Sequence, residues 1–212
     1  MADEEETAAP TYSVEYLGAG KTEEPIGWIS KAGKANVKYA NGDTYCGDYN
    51  ELKQRHGRGR YTYIRKGNEE DEEAKPTTSV YDGDFRLGKK HGMGTMTYPD
   101  GGKYNGSWEN DKKSGAGRYE FGKDMSIFNG TWKEGQITSG SWEFQGAGKY
   151  DGEFKLGRPF GQGTFSFPSG LKQAGSYDVA KPAEGEEVEE PAEGEPEKPP
   201  NVTWNGKSIV SF

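Results

Sequence analysis

Aromatic and polar residues alternate with period two through most of this chain, in short runs broken by turn-forming residues. The run Tyr81-Asp82-Gly83-Asp84-Phe85 puts two rings and a glycine on one face and two carboxylates on the other. Further on, Gly94, Met96 and Tyr98 share a face, and Thr95 and Thr97 share the opposite one. Such alternation predicts half-buried β-strands. The Asn-Gly, Pro-Asp-Gly, Pro-Ser-Gly and Leu-Gly-Lys-Lys-His-Gly segments between runs predict hairpin turns.

The runs are copies of two words. The first, aromatic-x-Gly-x-aromatic, appears as Tyr45-x-Gly47-x-Tyr49, Tyr81-x-Gly83-x-Phe85, Tyr104-x-Gly106-x-Trp108, Phe128-x-Gly130-x-Trp132 and Tyr150-x-Gly152-x-Phe154. These fifteen residues are the expected structural frame of the repeat. Their spacings of 36, 23, 24 and 22 residues define a unit of about 23, and one copy carries an acidic insertion at 66–78. The second word, Gly-x-Gly-x-x-x-aromatic, starts at Gly57, Gly92, Gly115 and Gly161, and in a fifth copy Thr138 replaces its first glycine. Weaker copies flank the array: YLGAG from Tyr16 with GKANVKY from Gly33, and QAGSY from Gln173. Degenerate end copies suit a repeat whose ends face solvent.

One strand per word gives an all-β fold of about thirteen strands: an elongated, twisted antiparallel meander of β-hairpins in a single sheet, with a one-sided aromatic and glycine face. At ~4.8 Å between neighbours that sheet would extend roughly 58 Å. Glycine between two aromatics leaves space for a ring to lie flat on the backbone, which offsets its poor strand propensity. Composition agrees: only 30% of residues are hydrophobic, yet 13% are aromatic and 33 are glycine, so the expected core is thin and built of rings.

Charge changes the picture at the margins. Three acidic blocks carry more than the whole net charge of -8: Asp3 to Glu6 contribute -4, residues 66–75 contribute -3 and residues 180–200 contribute -6, leaving +5 elsewhere. The expected organisation is an acidic flexible start (1–14), the repeat domain (15–178), a disordered Pro/Glu/Gly linker (179–200) and a docking segment (201–212). That last segment has an Asn205-Gly206 turn signal between Trp204 and the Ile209-Val210 pair, so it reads as a docking strand, a short hairpin or a frayed tail. The acidic start and the lack of a long apolar run predict a cytosolic protein.

Little points to catalysis. Cys46 is the single cysteine. His56 and His91 occupy one repeat position before a glycine, which predicts a turn role, and the Gly-x-Gly words lack the helix that a dinucleotide site needs. No enzyme activity, metal or cofactor is expected, and no nucleic-acid partner. Two candidate binding features remain. Arg55, His56 and Arg58, then Lys89, Lys90 and His91, then Lys112 and Lys113, then Arg158 recur beside the turns and read as a basic edge for an acidic protein, for anionic lipid headgroups or for water alone. Trp108, Trp132 and Trp142 on the aromatic face, with Trp204 beyond the linker, read either as partner anchors or as core.

The words over residues 16 to 177 resemble MORN (membrane occupation and recognition nexus) repeats. More narrowly, YCGDYNELKQRHGRGRYTY from Tyr45, MTYPDGGKYNGSWENDKKSG from Met96 and GQGTFSFPSGLKQAGSY from Gly161 resemble the radial spoke head protein 1 group, including the alga-type radial spoke protein 10. The order Gly170, Gln173, Gly175, Tyr177 is similar to the way that group closes its array. The resemblance implies a structural subunit of the spoke head in the 9+2 axoneme of motile cilia and flagella. Its implied partners are other spoke head proteins, a MORN paralogue or a second copy, and central pair projections. MORN repeats also occur in junction proteins and beside lipid kinase domains, which implies a phosphoinositide or membrane tether as the alternative.

Overall fold

The computed structural model describes residues 12–17, 29–66, 76–179 and 201–210. The acidic start, the acidic block at 67–75 and the Pro/Glu/Gly segment at 180–200 lie outside the described residues. Fourteen strands occur among those described, paired in the order of the sequence as an open antiparallel meander. They are β1 Ser13–Tyr16, β2 Gly33–Lys38, β3 Thr44–Tyr49, β4 Arg55–Arg65, β5 Thr77–Arg86, β6 Lys89–Thr97, β7 Lys103–Glu109, β8 Lys112–Glu120, β9 Ile127–Lys133, β10 Gln136–Phe144, β11 Gly148–Lys155, β12 Arg158–Ser166, β13 Lys172–Val179 and β14 Val202–Val210. No helix among the described residues is long and apolar enough to cross a membrane.

Each word is one strand, and the register aligns their glycines. In the unit Met1–Lys112, Gly47 stands opposite Gly59, Gly59 opposite Gly83, Gly83 opposite Gly94 and Gly94 opposite Gly106. In the unit Lys113–Phe212, the same row runs Gly117, Gly130, Gly140, Gly152, Gly163, Gly175 and Gly206. A one-residue slip would send every ring to the opposite face, so the row and the aromatic alternation fix the register together.

The glycine row makes room for rings. Tyr45, Tyr81, Tyr104 and Tyr150, which open four of the first words, are fully buried. A Cβ at Gly83 would stand 2.7 Å from Cζ of Tyr81, and one at Gly59 would stand 2.6 Å from Cζ of Tyr45. Tyr81 and Tyr45 then each meet two other rings edge to face. Tyr81 lies 5.1 Å from Phe85 and 5.3 Å from Trp108, while Tyr45 lies 5.3 Å from both Tyr49 and Phe85. The second unit repeats the ladder: Phe128 lies 5.2 Å from Phe154, and Tyr150 lies 5.5 Å from Phe154 and 5.8 Å from Tyr177. Edge-to-face pairs contribute about 0.5–1.5 kcal/mol each beyond area burial, which compensates for a core with few aliphatic side chains.

The turns explain the second word. Leu87-Gly88, Glu134-Gly135 and Leu156-Gly157 are two-residue turns with both central residues at positive φ, the twist that fits a hairpin. The first glycine of the word then takes a positive φ, 67° at Gly57, 62° at Gly92, 66° at Gly115 and 64° at Gly161, and at Gly57, Gly92 and Gly161 it sits in a bulge. Asp84 accepts from the Met93 amide at 3.1 Å beside one such bulge. Thr138 does not replace that glycine in kind. Ile137 pairs with Trp132 and Ser139 with Thr131, so this copy is one residue shorter and the left-handed position has been deleted.

One boundary and one turn differ from the sequence reading, while the docking-strand alternative for the last segment is the one that forms. Thr77 and Thr78, assigned there to the insertion, belong to β5 and pair with Arg65 and Ile64 of β4. Asn205 and Gly206 form no turn: they lie inside β14, which pairs along β13.

Candidate functional site

The basic residues beside the turns divide between the two faces. Arg55 pairs with Tyr49 and Lys90 with Phe85, directly across from the closing aromatic of the preceding word. Alternation therefore turns both toward the rings. The Arg55 guanidinium lies 4.8 Å from the Tyr61 ring centre and 5.5 Å from Phe85, and donates to the Gly88 carbonyl at 2.7 Å. The Lys90 ammonium lies 4.9 Å from Trp108, 5.5 Å from Tyr63 and 5.8 Å from Tyr81. Burial pulls the Lys90 pKa down, while Asp111 opposes that shift. In the second unit Lys113 lies 4.5 Å from Tyr119 and 4.9 Å from Trp132.

These three cations cap the aromatic layer, and their neighbours face elsewhere. Lys89, Lys112, His56 and Arg158 are exposed and His91 is half-buried. Arg58, also exposed, lies 3.5 Å from Asp84 and 3.9 Å from Asp82 across the strand. The basic edge read from the sequence is thus corrected to two sets, one covering rings and one facing solvent. At the positions matching Lys90, later repeats place Ile137 opposite Trp132 and Pro159 opposite Phe154. There the cation cap gives way to a groove of about 360 Å³ lined by Phe128, Trp132, Ile137 and Leu156.

The tryptophans also have distinct roles. Trp108 and Trp132 are buried core residues, and their indole N–H groups donate to the Gly94 and Gly117 carbonyls at 3.0 and 2.9 Å. Trp142 is half-buried, 5.1 Å from Phe128 and 4.5 Å from Phe144, and its N–H has no partner among the described residues. Trp204 lies on β14, 5.0 Å from both Phe165 and Tyr177, and donates to Gln173 at 3.2 Å. The sequence reading missed that Trp204-x-Gly206 repeats the opening of the first word. The available signal was the match to Tyr104-Asn105-Gly106, which the Asn-Gly pair disguised as a turn. Among the described residues, no group of three or more His, Cys, Asp or Glu could hold a metal ion.

A ring ladder on a glycine row, repeated hairpin by hairpin, defines a β-hairpin repeat scaffold. The MORN repeat family model matches residues 45–65, 81–103, 104–125 and 150–172, so the chain carries MORN repeats. It is 36% identical to MORN repeat-containing protein 3 of Xenopus laevis over 114 residues, 48% of this chain and 42% of that protein. It is 32% identical to human alsin over 90 residues, 40% of this chain and 5% of alsin. The chain thus spans less than half the length of either curated relative.

Proposed function

We propose that this chain is a non-enzymatic structural subunit of the radial spoke head in the 9+2 axoneme of motile cilia and flagella. In this reading it joins other head proteins and faces the central pair, acting by shape and surface rather than chemistry. The observation that carries the proposal is the segment Gly170, Gln173, Gly175, Tyr177, whose order resembles the close of the array in the radial spoke head protein 1 group. In this fold Gln173 and Gly175 are the residues that receive β14, so the segment has a defined structural task. The inward side chains of the repeat words are spent on the ring ladder over the glycine row, which suits a scaffold.

A tagged chain expressed in a ciliated cell should stay with isolated axonemes after detergent extraction and co-purify with spoke subunits. Extraction into the membrane fraction would overturn this reading.

The second reading is a phosphoinositide tether, favoured by the exposed Lys89 and Lys112 in a repeat region of positive charge. It expects liposome binding that weakens with salt and is lost in a Lys89→Glu, Lys112→Glu variant. No binding to phosphoinositide vesicles at low salt would remove it.

A further inference from the structure

β13 is the first half of a repeat whose second half does not follow it. The strand that completes the pairing, β14, arrives across residues 180–201. Its fit is specific. Gly175 is buried, and a Cβ there would stand 2.7 and 2.8 Å from Cζ2 and Cη2 of Trp204, so the glycine clears a seat for the indole. Gln173 grips the strand twice: its Oε1 accepts from the Trp204 N–H at 3.2 Å, and its Nε2 donates to the Lys207 carbonyl at 3.0 Å. Asp178 accepts from the Asn205 amide at 2.6 Å. Phe165 and Tyr177 wall the indole, and Gly206 continues the glycine row opposite Gly175.

The hold is also light. Among the described residues β14 pairs with β13 alone. Trp204 and Val202 are half-covered, while Thr203, Asn205, Gly206, Lys207 and Ile209 are exposed. Recognition therefore rests on the backbone ladder, one indole and three side-chain hydrogen bonds, all local to residues 202–210. Covalent connection adds only the effective concentration set by a link the length of residues 180–201, which can reach roughly 70 Å when extended.

We propose that the β13 edge is a strand-acceptor site selective for a Trp-x-Gly β-strand, and that its partner in trans is residues 202–210 of a second copy of this chain, exchanged reciprocally. The fit of that ligand is already shown by the strand in cis, and a reciprocal exchange repeats every contact on both sides of a two-fold axis. Cis pairing has an effective concentration on the order of a millimolar or less across such a link, so exchange is favoured where copies are concentrated. Edge-strand logic points the same way: an uncovered β13 would present a row of unpaired backbone groups, and a strand of fitting sequence is the natural cover.

The test mixes two full-length variants. Trp204→Ala with Asn205→Pro removes the donor strand and leaves the acceptor. Gly175→Val blocks the acceptor and leaves the donor. Each alone should be monomeric by native mass spectrometry, and the mixture should form a 1:1 complex. No complex at the concentration where both retain native near-ultraviolet circular dichroism overturns the proposal, as does equal self-association of either variant alone. If Gly175→Val does not fold, a peptide of residues 201–210 is titrated into the donor-less chain instead. It should bind at least on the order of 10-fold more tightly than to the intact chain, and on the order of 10-fold more weakly when its Trp204 is alanine. Equal binding in either comparison overturns the proposal.

Discussion

The Tyr81 hydroxyl donates to the main-chain oxygen of Asp84 at 2.9 Å, three residues along the same strand, with the ring lying over Gly83 between them. Tyr45 does the same to Asp48 at 3.1 Å, and Tyr104 to Ser107 at 3.0 Å. One geometry thus makes tyrosine and glycine interdependent within a single word. A Cβ at Gly83 would stand 2.5 Å from the Gly94 Cα, which is backbone and cannot rotate away. Gly83→Ala should therefore destabilise the protein by about 3 kcal/mol through overpacking. Tyr81→Phe, which loses only the hydrogen bond, should cost about 1 kcal/mol. Urea denaturation of the two variants checks the order, and equal midpoints would contradict it.

Arg55 and Lys89 separate the two classes of cation. Arg55 covers Tyr45, Tyr61 and Phe85 and donates to Gly88, whereas Lys89 is exposed. Arg55→Gln should cost about 1–2 kcal/mol, because the ring contacts and the packed stem are lost together. Lys89→Gln should stay within about 0.5 kcal/mol of the parent. Arg55→Lys should recover only part of the loss, since an ammonium lacks the flat face that stacks on rings. Thermal denaturation of the three variants gives the comparison.

The hairpin register was legible in the sequence because it is written redundantly: each ring at one position demands a glycine two residues on, and the words repeat that demand along the chain. Features that use a position only once, or use it in two ways, were hidden. Lys90 and Lys89 are adjacent and equally basic, and only the bulge register tells which one faces the rings. Thr138 resembles a substituted glycine until pairing shows that its hairpin is a residue short. Asn205-Gly206 carries the same Asn-Gly turn signal as Asn41-Gly42, yet β13 offers an open edge with a seat for Trp204, and that tertiary pairing overrides the local preference.

Asp43 was equally invisible, being part of an ordinary Asn-Gly-Asp turn. It is buried, and its carboxylate accepts from the Tyr61 hydroxyl at 2.9 Å, the Ile64 amide at 2.7 Å and the Asn41 side chain at 3.0 Å. It ties the β2–β3 turn to β4, the strand that runs on toward the acidic block. Asp43→Ala would leave the Tyr61 hydroxyl and the Ile64 amide without their partner and should cost about 3 kcal/mol. Amide hydrogen exchange checks the location: protection should fall first at Ile64 and along the β3–β4 pair, and uniform loss would argue against a local tie.

The ring ladder also sets an alkaline limit. Burial pushes the Tyr104 phenol up to about 12, and burial assisted by Tyr177 and Glu153 does the same for Tyr150. Tyr45, Tyr61 and Tyr81 are raised as well, again chiefly by burial. In the unfolded chain each phenol ionises near its ordinary value of 10.0. The unfolded state therefore loses protons first as pH rises. The stability linked to these groups is present in full below about pH 10 and is lost as pH climbs toward about 12 and beyond. Tyrosinate absorbance should accordingly rise in two stages: Tyr16, where the opposing effect of burial is outweighed by hydrogen bonds with Ser30 and Lys31 that hold it below the ordinary value, ionises first, and the buried set then ionises together with the loss of circular dichroism. Tyr104→Phe removes one titrating group from the core without removing its ring, so it should move the second stage to higher pH. A single smooth titration, with the fold intact throughout, would mean that the tyrosines over the glycine row are open to solvent.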